Sequence, residues 1–360
     1  MAIAGPGEAP RVVVAGTGHG LRVHVPALRR AGFDVVALVG SDPERTARRA
    51  EKAGIPNAFT DLAEAITQTR ADCVVVATTP PSHGPLVRVA LAHNCHVLCE
   101  KPFARNAEEA RELFAAAEEA GVVHLLGNQF RMLPERAAIT RAIADGAIGA
   151  PRLVTITQYA GLLADTTRKW PDWWFDREAG GGWLGSSGSH MIDMIRNWLG
   201  EFESLSASTL VVADRTGVSE DSYTVRFEMT NGAQGLLAQT GGAWGPFASM
   251  TRVAGSQGTV WLDDGAAWLA DKDSTCKLPI PDALVLPPES PSDDPRQQFL
   301  HVELPPARRL CQAWLALIEG RPFDGPSPAT FADGLACMKV IDAIHASAAH
   351  GGARVAIAPE

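Results

Sequence analysis

Between residues 11 and 126 the chain alternates short β-branched runs with longer amphipathic stretches, and this alternation limits the fold more than any other feature. Residues 11–15, 35–39, 73–77, 96–99 and 122–126 read as strands. Residues 23–31, 61–68, 83–93 and 107–120 read as helices. Strands separated by single helices predict a parallel, doubly wound sheet. After 126 the pattern changes. A helix at 136–145 and a long strand at 152–162 lead into strands at 205–212, 223–229, 233–240, 250–254 and 259–262. Strands in succession predict a second α/β domain with a mostly antiparallel sheet. We therefore expect two domains, 1–126 and 127–360. Residues 278–306, rich in proline and acid, read as an extended loop. Helices at 308–319 and 328–349 and a strand at 354–357 close the chain.

Composition narrows the function. A 46% hydrophobic and 20% charged chain of 360 residues is an ordinary globular one. A net charge of -9 without a basic cluster excludes nucleic acid and anionic membranes as expected partners. No apolar run is long enough to cross a bilayer. Residues 1–10 show neither a basic region nor an apolar run of signal length, so a cytoplasmic protein is expected. The six cysteines form no C-x-x-C pair, and no His cluster completes a zinc site around Cys95 and Cys99. No metal is expected.

The chemistry gathers where strands end. The strand at 96–99 runs into Glu100-Lys101-Pro102, at the sheet edge where open α/β folds place their sites. A lysine delivered there loses hydration, and its pKa falls towards a range useful for proton transfer. A surface Lys-Glu pair before a turn is the other reading of these residues. The strand at 11–15 runs into Gly16-Thr17-Gly18-His19-Gly20, glycines that would let a pyrophosphate approach the backbone and the next helix N-terminus. A strict fingerprint would place glycine at 21, where this chain has Leu21, so the stretch also fits an ordinary strand–turn–helix junction. About 20 residues on, no carboxylate stands at the strand end. Asp42 before Pro43 reads as a helix N-cap, while Ser41 and Arg45 suit a 2'-phosphate. NADP is thus favoured over NAD. Thr78, Thr79, Pro80 and His83 follow another strand end and should line the same crevice.

A second stretch, Gly180 to Asp193, is dense in glycine and serine and carries His190 at the expected start of a helix. In a first turn the helix dipole would keep the imidazole neutral and available as a base, although a structural histidine fits as well. Met191, Ile195, Trp198 and Leu199 form the helix's apolar stripe, with His190, Asp193 and Asn197 opposite. Trp170, Trp173, Trp174 and Trp183 crowd the preceding region and suit either a pocket roof or core and subunit packing.

Taken in this order and spacing, the glycine turn, Glu100-Lys101-Pro102 and His190 with Asp193 resemble the glucose-fructose oxidoreductase/inositol dehydrogenase (Gfo/Idh/MocA) family over residues 11–357. The resemblance implies a Rossmann domain, then a domain with a large open sheet, and a homo-oligomer, dimer or tetramer. It implies an NAD(P)-dependent enzyme acting on a secondary alcohol or ketone of a sugar, cyclitol or glycoside-like substrate. Lys101 would be the acid-base residue touching both cofactor and substrate, with His190 assisting. Glu100 and Gln129 would face the cofactor, as would Gly16, Thr17, Gly18, His19, Gly20, Thr78, Thr79, Pro80 and His83. Arg131, Trp174, Trp183 and Ser186 would face the substrate. Many family members carry aspartate where this chain has Ser186, a departure that points to a less polar or aryl-bearing substrate. Redox-neutral, NAD-assisted glycoside cleavage and a non-catalytic dinucleotide-binding regulator are the alternatives the resemblance leaves.

Overall fold

The computed structural model describes residues 8–358 apart from 217, 293, 295, 296 and 298. Most of the segment read above for a leader therefore lies outside the described residues. The chain forms two compact units, and they are not contiguous in sequence: the first takes the chain to Ala104, Glu108–Leu133 and Ala283–Leu335, and the second takes the rest.

The first unit holds six strands: β1 (Arg11–Ala15), β2 (Asp34–Val39), β3 (Asn57–Phe59), β4 (Cys73–Val76), β5 (His96–Cys99) and β6 (His124–Leu126). All are parallel, in the order β3-β2-β1-β4-β5-β6. Val12 to Val14, Cys73 to Val76 and Val97 to Cys99 are wholly buried, because crossover helices cover both faces of such a sheet and leave no polar alternation. The helices are α1 (Val25–Ala31), α2 (Pro43–Lys52), α3 (Leu62–Thr69), α4 (His83–Ala92) and α5 (Ala107–Ala120). β3 is the one strand of this sheet the sequence reading omits, being three residues with no buried position.

The second unit begins with α6 (Pro134–Ala144), β7 (Pro151–Tyr159) and α7 (Ser189–Leu199), followed by β8 (Phe202–Leu210), β9 (Ser222–Met229), β10 (Gln234–Thr240), β11 (Ala248–Gly255), β12 (Gly258–Asp263), β13 (Ala266–Asp271) and β14 (Thr275–Lys277). With β15 (Val355–Ala356) these strands make a nine-stranded sheet, antiparallel except where β7 pairs β10. One face is core, with Val154, Ile156, Val225, Phe227 and Leu237 buried. The opposite face leaves Leu153, Tyr159, Leu236 and Met250 more than 40% exposed.

One expectation is corrected outright. The segment read as loop to residue 306 becomes helical at Leu300, in α8 (Leu300–Ile318), with Pro305 and Pro306 inside. Two missing N–H groups make a break there the natural reading. Tertiary burial overrides it: Leu304, Pro305, Pro306 and Ala307 are buried, and Trp314 further along stacks on Phe33 at 5.1 Å. The last helix is α9 (Phe331–Ala349).

Candidate active site

In the first unit the strand order reverses between β1 and β4, so the loops after these two strands bound the crevice typical of doubly wound sheets. The turn after β1 uses each glycine differently. Gly16 has φ +127°, and a Cβ on it would lie 2.1 Å from the Ala77 carbonyl oxygen, so the two loops meet backbone to backbone. At Gly18 nothing lies within 4 Å of a Cβ position, which leaves open space over the backbone. A Cβ on Gly20 would lie 3.0 and 3.2 Å from the Val14 and Ala77 side chains, so this glycine permits the close helix-to-strand contact that a fingerprint's third glycine provides. It arrives one position early. The helix here opens with a π turn over Gly20–His24 before α1.

Asp42 caps α2, accepting from the Arg45 backbone N–H at 2.7 Å, as its place before Pro43 predicts. Arg45 lies 3.5 Å from the Ser41 hydroxyl. Arg49, which the sequence reading passes over, donates to both the carbonyl and hydroxyl of Thr17 at 2.8 and 2.9 Å. After β4, Thr78 and Thr79 lead into a short 3-10 turn, Pro80–Ser82, pinned by the Ser82 hydroxyl donating to the Thr78 hydroxyl at 2.8 Å. His83 is fully buried, its ring facing the Pro102 carbonyl at 3.0 Å and the Thr78 carbonyl at 3.3 Å. Burial lowers its pKa, the Thr78 and Pro102 carbonyls and Glu100 opposing. A neutral ring carries a single N–H and can donate to one of these two carbonyls, so it holds the Lys101-Pro102 turn beside the loop after β4 by one hydrogen bond and by packing.

Glu100 closes β5 and is 6% exposed. Its Oε1 lies 2.7 Å from His24 Nε2 and 3.4 Å from His19 Nε2, and its Oε2 accepts from the Lys101 N–H at 3.1 Å. Burial alone would raise the carboxyl's pKa. The neighbouring His19 and then His24 override that and hold it well below the usual range. The donor atoms of His19, His24 and Glu100 lie within 4.8 Å of one another, a metal-type grouping no sequence spacing reveals. Within it, His24 and the Glu100 carboxylate are hydrogen-bonded to each other. Lys101 is half-buried, and burial lowers its pKa against opposing pulls from Glu100 and then Glu303 on α8. The direction is the one expected at a strand end.

Past β6, Asn128 and Gln129 are 2% and 4% exposed. Both side-chain polar atoms of Asn128 and Oε1 of Gln129 lack a protein hydrogen-bond partner among the described residues. Buried amides in that state call for a ligand or water, so with the open backbone at Gly18 these residues fit a bound dinucleotide. Asn128 was missed, although it stands beside Gln129 at the same sheet edge. Arg131, expected at the substrate, forms an ion pair with Asp333 at 2.9 Å.

In the second unit the glycine density has a structural cause. A Cβ at Gly181 would lie 1.9 Å from the Trp173 carbonyl oxygen, and one at Gly182 2.1 Å from Glu220 Oε1. His190 does not sit in a first turn, as expected from sequence. Helical structure begins at Gly182, passes through a π turn at Leu184–Gly188 and continues as α7, so His190 lies beyond the reach of the helix N-terminus. Nor is the helix two-faced there, since His190 and Asp193 are as buried as Met191 and Ile195. Ser186 donates its hydroxyl back to the Gly182 carbonyl at 3.0 Å. The tryptophans divide: Trp183 is core, against Gly241, whereas Trp170 and Trp174 pack at 4.8 Å and Trp173 and Trp174 at 5.7 Å on a half-buried loop.

The first unit is thus a Rossmann domain with a lysine at the carboxyl edge of its sheet, the frame of a nicotinamide-dependent oxidoreductase. Residues 10–128 match the family described as "Oxidoreductase family, NAD-binding Rossmann fold", and residues 137–261 match the "GFO/IDH/MocA C-terminal domain". Together they take in well over half of the chain, which belongs to the Gfo/Idh/MocA oxidoreductases. Among its relatives, D-apiose dehydrogenase of Paraburkholderia graminis is 39% identical over 38% of this chain and 36% of its own. Glucose-fructose oxidoreductase domain-containing protein 2 of Mus musculus is 27% identical over 95% of this chain and 92% of its own. The structure of levoglucosan dehydrogenase in complex with NADH superposes with a TM-score of 0.83 at 23% identity, over 98% of this chain and all of that one. Among the described residues no helix is long and apolar enough to cross a membrane.

Proposed function

We propose that this oxidoreductase interconverts a secondary alcohol and a ketone on a sugar-like substrate, with a dinucleotide-binding domain over residues 1–126, supplemented at the cofactor by Asn128 and Gln129 just past its end, and a substrate domain over 127–360. The observation that carries the reading is Lys101, half-buried at the carboxyl end of β5 beside a buried carboxylate, with its ammonium disfavoured by burial. In the oxidising direction its Nζ takes the hydroxyl proton; in the reducing direction it returns a proton to the carbonyl oxygen. His190 is the assisting residue. The nicotinamide, when bound, accepts or supplies the hydride.

Relatives named for apiose, 1,5-anhydro-D-fructose and levoglucosan support a sugar-like substrate. Ser41 and Arg45, now joined by Arg49 at Thr17, support NADP over NAD. Five buried free thiols among six support a reducing compartment such as the cytoplasm. The exposed apolar residues on the outer sheet face support a homo-oligomer. The test is nicotinamide absorbance during incubation with sugars, anhydrosugars, cyclitols and aryl alcohols, or their ketones, with each cofactor. Turnover with at least one sugar-like compound, lowered by about 10²–10⁴-fold in Lys101→Ala, is the expected result. Wild-type turnover in Lys101→Ala would overturn the assignment.

A further inference from the structure

The helix that carries Ser186 and His190 starts without a cap of its own. Its first N–H groups need acceptors, and Gly180-Gly181-Gly182 supplies no Ser, Thr, Asp or Asn. Glu220, close in space though 36 residues beyond Leu184, supplies both acceptors. Its backbone carbonyl accepts from the Trp183 N–H at 2.9 Å, and its carboxylate Oε1 accepts from the Leu184 N–H at 3.2 Å. Room for the carboxylate exists because residue 182 is glycine, with φ +85°. The next residue is anchored in turn: Asp221 accepts from the Val212 and Ala213 N–H groups at 2.8 and 2.9 Å and from the Ser222 hydroxyl at 2.7 Å. A helix start, the π turn behind it and the entry to β9 are thereby joined through one buried side chain.

We propose that Glu220 is a positioning residue for the reaction above: a cap supplied from a distant segment that holds the Ser186–His190 helix in register. The charged and titratable groups facing it are Arg177, Asp221 and the buried phenol of Tyr223. Burial pushes the carboxyl up to about 7, against hydrogen bonds from its own and the Leu184 backbone and the attraction of Arg177, while Asp221 adds to the rise. Any opening that wets the group lets it titrate as an ordinary carboxyl, near 4.3. Linkage then requires that opening become easier as pH rises, by about tenfold between roughly pH 6 and 8.

The proposal rests on the dehydrogenase reading for its catalytic consequence but not for its physical test. Hydrogen exchange of the peptide spanning 182–190, corrected for intrinsic rates, should lose about tenfold in protection between roughly pH 6 and 8 in the wild type. Glu220→Gln keeps an acceptor and cannot ionise, so its protection should stay level. Wild-type protection that does not change, or a Gln variant that loses as much, overturns the proposal whatever the substrate proves to be. Should the Gln variant fail to fold, Gly182→Ala, whose Cβ displaces the carboxylate, should lower protection at both pH values, and unchanged protection there would overturn it too. In turnover, the wild type should lose kcat/KM across this interval while Glu220→Gln does not, with dinucleotide affinity the same in both proteins. A parallel loss of dinucleotide affinity would mean general destabilisation rather than positioning.

Discussion

Replacing Glu100 tests whether the buried acid is a structural keystone of the dinucleotide-binding unit. Three donors converge on it: His24 and His19 on one oxygen, the Lys101 backbone N–H on the other. Glu100→Ala strands the His24 ring and the Lys101 amide, and breaking a buried charged contact in this way costs about 3–5 kcal/mol. Glu100→Gln is isosteric, yet its amide offers one acceptor where two oxygens now accept, so one donor must face another donor. His24 could move its proton to Nδ1, but that atom is itself buried without a hydrogen-bond partner among the described residues. The Gln variant should therefore lose about 1–3 kcal/mol. Urea unfolding at neutral pH, followed by tryptophan fluorescence, measures both. The pH dependence has a defined sign. Because the folded carboxyl is held well below its usual range, its stabilisation is present above the unfolded value, about 4.3, and is lost as pH falls through the folded pKa. The gap between wild type and Gln should hold from mildly acidic to neutral pH and close only in strong acid. A Gln variant as stable as wild type at neutral pH, or less stable than the Ala variant, would refute the reasoning.

Other substitutions separate binding from chemistry. Lys101→Ala should lower turnover by about 10²–10⁴-fold while dinucleotide affinity, read by fluorescence titration, changes far less. Arg49→Ala should weaken NADP more than NAD, since it removes a cation at Thr17 and leaves the turn's glycines intact; equal loss for both would place Arg49 in the scaffold alone. Gly18→Ala should leave the unfolding midpoint unchanged but impair dinucleotide binding, whereas Gly20→Ala, tight against Val14 and Ala77, should cost about 1–3 kcal/mol from overpacking. The reverse pattern in these two glycines would mean that their roles in the turn are exchanged.

What the sequence made legible follows from the range of the interactions that decide each feature. Doubly wound strands are read from local apolar runs, and the Asp42 cap from a neighbour three residues away, so both were visible in the chain itself. The strand end that carries Lys101 was visible for the same reason. His190 was misplaced because a local reading starts the helix at the last glycine, while the structure starts it at Gly182 with a cap from Glu220. The prolines of α8 misled because their cost is local and the compensating burial comes from elsewhere in the first unit. His24 and Glu100 are 76 residues apart, and Arg131 and Asp333 are 202 apart; neither pair has a sequence spacing that announces it. The glycines carry the same lesson in another form. Their density near His190 fits close approach of either another backbone or a ligand; Gly181 meets the Trp173 backbone and Gly182 the Glu220 carboxyl group, whereas Gly18 faces open space. A glycine in sequence marks that something comes close or must be let in. Which of the two holds depends on residues that only the fold brings there.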